Sequence, residues 1–146
     1  MSAHTRRSVS LGLAGALLAL TGCGKDDPQA RLEAAVHRLQ DHVENRKTSA
    51  VMDMLHARFR AQGELDREWA QRTMTLLFLR YPNVKVVAIT RNTRLDPDTP
   101  LTGTTEAQVL MTGAQGLIPE RVEPYAITLR WRREGDDWKL IDLEWR

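Results

Sequence analysis

The chain carries a single thiol, Cys23, and its surroundings prescribe a use for it. Arg6 and Arg7 precede an apolar run from Val9 to Leu20 that is relieved only by small residues. A basic start, about a dozen apolar residues and small residues at a cut site make up the grammar of an export signal. The run is too short to span a bilayer, which takes roughly 20 apolar residues. Cys23 follows Leu20-Thr21-Gly22 and precedes the polar stretch Gly24-Lys25-Asp26-Asp27, so it has no core to enter. Elsewhere the reactive side chains are scattered. No His, Cys, Asp or Glu cluster has zinc spacing, no glycine-rich loop cradles a phosphate, and no Ser-His-Asp pattern stands out. Neither a metal nor a cofactor is expected, and no catalytic residue is named.

The tetrapeptide ending in Cys23 resembles the cleavage box of exported bacterial lipoproteins. It divides the chain into a leader over 1–22, a lipidated cysteine with a short tether over 23–27, and a domain over 28–146. The resemblance implies a diacylglyceryl group and a palmitate-like N-acyl chain on Cys23. A single acyl chain holds weakly, but two or more anchor durably, because each buried methylene contributes about 0.8 kcal/mol. Ser8-Val9-Ser10 matches a twin-arginine signal poorly, so general secretion is the expected route. Gly24 stands where an Asp would favour retention at the inner membrane, which favours the outer membrane, with the domain facing the periplasm. With the thiol consumed, no disulfide is expected. Lys and Arg number 21 and Asp and Glu 19, and loss of Arg6 and Arg7 with the leader balances them. A neutral domain gives no reason to expect nucleic acid as a partner.

Past the tether, the pattern predicts a helical half and a strand half. Asp27-Pro28 is a helix start, with an acceptor at the N-cap and proline at N1. Leu32, Val36, Leu39 and Val43 then form one apolar stripe, with His37 on the far side and His42 at its edge. A shorter helix is predicted from Thr48-Ser49, carrying Val51, Leu55 and Phe59 and ending near Gly63. A third runs from an Asp66 cap to Arg80, stopped by Pro82. Leu65, Trp69, Leu76 and Leu77 make one face of it and Met74 and Phe78 nearly the opposite one, which predicts a helix sandwiched between a sheet and another helix. Val84–Thr93, Thr104–Thr112, Tyr125–Arg133 and Trp138–Trp145 read as strands, the last two joined as a hairpin through Glu134-Gly135-Asp136-Asp137. Tyr125, Ile127, Leu129 and Trp131 alternate onto one face. In the last strand Ile141, Leu143 and Trp145 are expected opposite Trp138, Leu140, Asp142 and Glu144. Three helices and about four antiparallel strands make an α+β domain.

The long helix ending Leu77-Phe78-Leu79-Arg80-Tyr81-Pro82, and the hairpin Trp131-Arg132-Arg133-Glu134-Gly135-Asp136-Asp137-Trp138-Lys139-Leu140, resemble the nuclear transport factor 2-like (NTF2-like, SnoaL-like) superfamily. The similarity covers about Pro28 to Arg146, and Gly116-Leu117-Ile118-Pro119-Glu120-Arg121 adds to it. It implies a cone, in which a strongly curved sheet wraps the long helix and leaves a pocket at its open end. Enzymes of the superfamily place a carboxylate base with Tyr or protonated Asp donors in that pocket. The counterparts here would be Asp142, Tyr81, Tyr125 and His42, but none falls in a recognisable family pattern. Each also has a structural use: Tyr81 packing at a helix end, Tyr125 opening a strand, Asp142 on a charged strand face, His42 at a stripe edge. Catalysis is not expected.

Binding is better provided for. Trp69, Phe78, Trp131, Trp138 and Trp145 supply large apolar area for a pocket wall or for the core itself. Leu117 and Ile118, in a loop with Gly and Pro, read as a partner or membrane contact or as a plug in the cone's open end. Arg130, Arg132 and Arg133 are answered by Glu134, Asp136, Asp137, Asp142 and Glu144, which predicts cross-strand ion pairing. The expected function is a non-catalytic, membrane-anchored envelope domain that binds a protein partner or a small apolar ligand, with a homodimer on the sheet's outer face. The alternatives are an isomerase- or dehydratase-type pocket enzyme, or a carrier of a small hydrophobic ligand. An acid at the pocket floor favours the enzyme, an aliphatic acid-free pocket the carrier, and a pocket filled by Trp leaves only surface binding.

Overall fold

A computed structural model describes residues 27–113, 116–117 and 124–146. The leader, Cys23 and Ile118 lie outside these residues, and Leu117 is described through its backbone alone. Helix α1 spans Pro28–Glu44, and the Asp27 carboxylate accepts the Gln29 N–H at 3.0 Å, as the cap position predicts. The helix stops in a left-handed turn at Arg46 (φ 55°), where Arg46 and Lys47 donate their N–H groups to the carbonyls of Val43 and His42. Those two bonds satisfy carbonyls that the last turn leaves without partners. Leu32, Ala35 and Val36 are buried from the predicted stripe, with Leu39 packed beside them.

The second helix is shorter than the pattern implies. Helix α2 covers Thr48–Met54, and the chain then runs directly into strand β1, Leu55–Ala61. Leu55 and Phe59 are therefore strand residues. Their i, i+4 spacing fits a strand as well as a helix, because residues an even number apart share a strand face. The strand lies parallel to β6 (Asp137–Trp145), with Leu55 against Leu140 and Ala61 against Leu143. Local periodicity cannot register such a long-range pairing. The buried His56 ring ties β1 to the strand that precedes the final hairpin turn: its Nδ1 accepts the Arg58 N–H at 3.0 Å, so its Nε2–H faces Glu134 Oε1 at 2.9 Å.

The remaining strands are β2 (Lys85–Asp96), β3 (Thr99–Gly113), the two-residue β4 (Gly116–Leu117) and β5 (Tyr125–Glu134). The sheet order is β1-β6-β5-β3-β2, with β4 on β3, so it holds more strands than the four predicted. The Pro97-Asp98 connector is a tight turn whose Asp96 carboxylate accepts from the Thr102 hydroxyl at 2.6 Å and the Thr104 hydroxyl at 3.2 Å. Two bulges change which side chains face inward. On β6 the extra residue is Ile141, since Trp131 pairs with Leu140 and Arg130 with Asp142. Leu143 and Trp145 thereby join Leu140 on the concave face, and the strict alternation expected of β6 is broken. On β2 the extra residue is Ile89, and the inward row passes from Val86 and Ala88 to Arg91, Thr93 and Leu95. An inserted residue does this because side chains alternate with period two.

Helix α1 lies across the concave face and seals the free edge of β2 with polar side chains. Gln29 donates to the Thr93 carbonyl at 2.8 Å and accepts from the Leu95 N–H at 3.1 Å; Gln40 donates to the Val86 carbonyl at 3.1 Å. An edge strand covered in this way is closed to further pairing. Helix α3 spans Arg67–Arg80, with the Asp66 carboxylate accepting the Trp69 N–H at 3.0 Å. It is not sandwiched: Leu76 is 69% and Leu79 is 79% exposed. At 100° per residue, Trp69, Leu77, Ala70 and Met74 fall within an arc of roughly 140° facing inward, and Leu76 falls outside it. The core beneath is Leu32, Ala35, Phe59, Trp131, Trp138 and their neighbours.

Candidate functional site

Helices and sheet do not close fully on each other. Between them is a cavity of about 440 Å³, within the range of small-molecule sites. Helix α1 contributes Val36, Leu39, Gln40 and Val43, and α3 contributes Trp69, Ala70, Met74 and Leu77. The strands give the concave floor: Leu55 and Phe59 of β1, Ala107, Val109 and Met111 of β3, Tyr125, Ile127 and Leu129 of β5, and Leu140, Leu143 and Trp145 of β6. The polar lining side chains among the described residues are Gln40, Arg91, Thr105 and Tyr125. None is a carboxylate or a histidine.

Thr105 and Gln40 are tied into the fold through hydrogen bonds. The Thr105 hydroxyl accepts the Trp131 indole N–H at 3.2 Å and lies 3.0 Å from the Thr93 hydroxyl. The Gln40 amide donates to Glu44 Oε1 at 2.7 Å and to the Val86 carbonyl. Arg91 differs. It is exposed, its Nη2 lies 3.0 Å from His37 Nε2, and it lines both the apolar cavity and an adjoining polar recess of about 280 Å³ with Glu33, His37, Asn92 and Thr93. An arginine can only donate, so His37 Nε2 is the acceptor in this contact. At the rim of α3, the Trp69 N–H bonded to Asp66 holds that carboxyl below its ordinary range, helped by the Arg60 and Arg72 charges and opposed by slight desolvation.

Of the residues singled out in the sequence, Trp69, Tyr125 and Trp145 line the cavity. Trp131 is fully buried in the core behind Thr105, so it forms neither a wall nor an outer dimer surface. Phe78, on the far side of α3 from Trp69, is half-buried and off the cavity. Tyr81 follows the last turn of α3 with the Arg80 guanidinium 5.4 Å from its ring centre. Asp142 pairs in register with Arg130 and Arg60, away from the lining. His42 does not line the cavity either. His37 is exposed as predicted but is held by Arg91. Asp136 takes Arg31 of α1 at 3.1 Å and Arg133, three residues before it, at 3.7 Å, whereas the cross-strand pairs expected of Arg130 and Arg132 are not among the ion pairs of the described residues. Among the described residues no cluster of His, Cys, Asp or Glu could hold a metal, and no helix is long and apolar enough to cross a membrane. Arg91 escaped the sequence reading because its inward position depends on the bulge at Ile89.

A curved, mainly antiparallel sheet wrapped over helices, with an apolar cavity between them, is the NTF2-like cone. Solved structures that this chain resembles include proteins described as NTF2-like. An NTF2-like protein from Cytophaga hutchinsonii superposes with a TM-score of 0.59 at 14% identity, over 77% of this chain and 92% of that one. A Shewanella frigidimarina protein described as a candidate ketosteroid isomerase gives 0.60 at 16% identity, over 83% and 96%. Bdellovibrio bacteriovorus Bd1075 gives 0.66 at 16% identity over 78% of this chain, which spans only 38% of that protein. No protein-family model matches the sequence, and none of the curated proteins does. At these identities the likeness is one of fold, and fold does not fix function.

Proposed function

We propose that the chain is an envelope lipoprotein, anchored by acyl chains on Cys23, whose NTF2-like domain binds a small apolar ligand in this cavity and does not transform it. The lining carries the reading. Two dozen residues converge on the cavity, four of them polar, and no carboxylate or histidine is among those described. Proton abstraction or dehydration needs a group of matched pKa within reach of the substrate, and the acids considered from the sequence stand elsewhere. An apolar chamber with few polar groups is what a binding site for a hydrophobic molecule requires. The Trp side chains do not fill it: Trp69 and Trp145 form wall, while Trp131 and Trp138 belong to the core.

Native mass spectrometry of the intact protein, released from its own host's membranes, tests this. A reproducible added mass that is lost on denaturation supports the reading, and the mass of the Cys23 peptide reports its acylation. A protein free of ligand in every preparation counts against it. A homodimer or an envelope protein partner would appear in the same spectra as a doubled or heavier species. In cells, Cys23→Ser is expected to release the domain from the membrane fraction.

A further inference from the structure

Arg91 brings an exposed guanidinium to the border of the apolar cavity. The bulge at Ile89 turns it onto the concave row between Ala88 and Thr93, where the neighbouring inward residue of β3 is Ala107. Among the described residues its side-chain hydrogen bond is to the His37 ring, and no carboxylate pairs with it. The other exposed arginine on this strand, Arg94, is matched by Glu106 at 3.0 Å. Of a guanidinium's five N–H donors, the His37 contact uses one.

We infer that Arg91 receives the acidic head of an amphiphilic ligand whose apolar body fills the cavity. The geometry follows from its double position, with the apolar chamber on one side and the polar recess shared with His37, Asn92 and Thr93 on the other. A carboxylate suits this place because its two oxygens match two parallel N–H donors of a guanidinium. Water reaching the recess hydrates the rest of the head, and the chain lies against Val36, Ala107 and Met74. Glu33, also on the recess, does not line the apolar chamber, and it takes the Gln29 amide at 2.8 Å. The ligand class is thus a monocarboxylate with a hydrophobic body, of which a medium-chain fatty acid is the simplest member. The assignment rests on the proposed binding function.

The test uses the full chain in lipid nanodiscs with two photoreactive ligands, a twelve-carbon fatty acid carrying a terminal diazirine and its alcohol counterpart. Sites of labelling are located by peptide mass spectrometry. The acid is expected to label cavity residues such as Met74 at a concentration roughly tenfold or more below that needed by the alcohol, the scale of hydrogen bonds to a charged group. Arg91→Gln removes that preference but keeps alcohol labelling, which shows that the variant is folded. Arg94→Gln keeps the preference. Equal labelling by acid and alcohol in the unaltered chain overturns the acidic head and leaves the apolar site standing. No cavity labelling by either ligand overturns both.

Discussion

The indole rings of Trp69 and Trp145 stack with centroids 6.0 Å apart and 11° between their planes. Trp69 belongs to the first turn of α3 and Trp145 to the last residue of β6, so this contact joins the helix to the sheet across the cavity wall. Few other side chains hold α3 from outside, since Leu76 and Leu79 face solvent. Stacked aromatic pairs contribute about 0.5–1.5 kcal/mol beyond their buried area. A double-mutant cycle with Trp69→Leu and Trp145→Leu in urea denaturation is expected to return a coupling energy of that order. Strict additivity of the two changes would show that the rings touch without holding the helix.

The sequence made α1, α3 and the final hairpin legible for physical reasons that can be named. The Asp27 and Asp66 side chains satisfy helix N–H groups locally, and Tyr125 to Trp131 alternate on a strand in unbroken register with β3. What could not be read was set by distant partners. Leu55 and Phe59 became strand residues only because β6 offers a parallel edge to β1. The face of α3 was misjudged because its apolar residues run most of the way round, and the sheet selected Met74 over Leu76. Asp142 was visible as an acid, but whether it entered the cavity depended on the bulge at Ile141. Arg91, the charged group that lines the cavity among the described residues, depended on another.

That selection on α3 separates two adjacent leucines. Leu77→Ala enlarges the cavity wall, whereas Leu76→Ser alters an exposed position. Leu76→Ser should leave stability within about 0.5 kcal/mol of the unaltered chain. Leu77→Ala should lower it further and weaken apolar ligand binding. Equal effects of the two on thermal unfolding would mean that α3 is rotated from the position described.

Thr105 is worth more as a hydroxyl than as a packed side chain. Its oxygen accepts the N–H of the fully buried Trp131, the largest residue of the core. Thr105→Val preserves shape but strands that donor, which costs about 1–3 kcal/mol. Thr105→Ser keeps the acceptor and should lose less, despite deleting a methyl. The order of the two urea midpoints decides: a Val variant as stable as the Ser variant would show that water replaces the hydroxyl.

Gly103 is fixed by Leu32. A Cβ at that position would overlap the Leu32 side chain and stand 3.1 Å from the Arg94 carbonyl oxygen, and Leu32 is wholly buried at the centre of α1's apolar stripe. Gly103→Ala therefore overpacks the junction of α1 with β3, and changes of that kind cost about 1–3 kcal/mol. The loss should appear in both thermal and urea unfolding. An unchanged midpoint would place α1 farther from β3 than described.

Acid should loosen α3 before it unfolds the rest. The Asp66 carboxyl is held below its ordinary value of 3.8, chiefly by the Trp69 N–H. A group whose folded pKa is depressed contributes stability that is complete above its unfolded pKa and is lost as pH falls through its folded one. The cap is therefore intact at neutral pH and fails only below pH 3.8, where protonation takes away the charge that accepts from the helix N-terminus. Because Trp69 is both the capped residue and Trp145's stacking partner, the failure should be visible in the near-ultraviolet circular dichroism of the tryptophans. Asp66→Asn keeps a capping oxygen without a titrating charge, so its signal should stay flat over the range in which the unaltered chain changes. If both proteins lose the signal at the same pH, the acid transition belongs to other carboxylates and not to this cap.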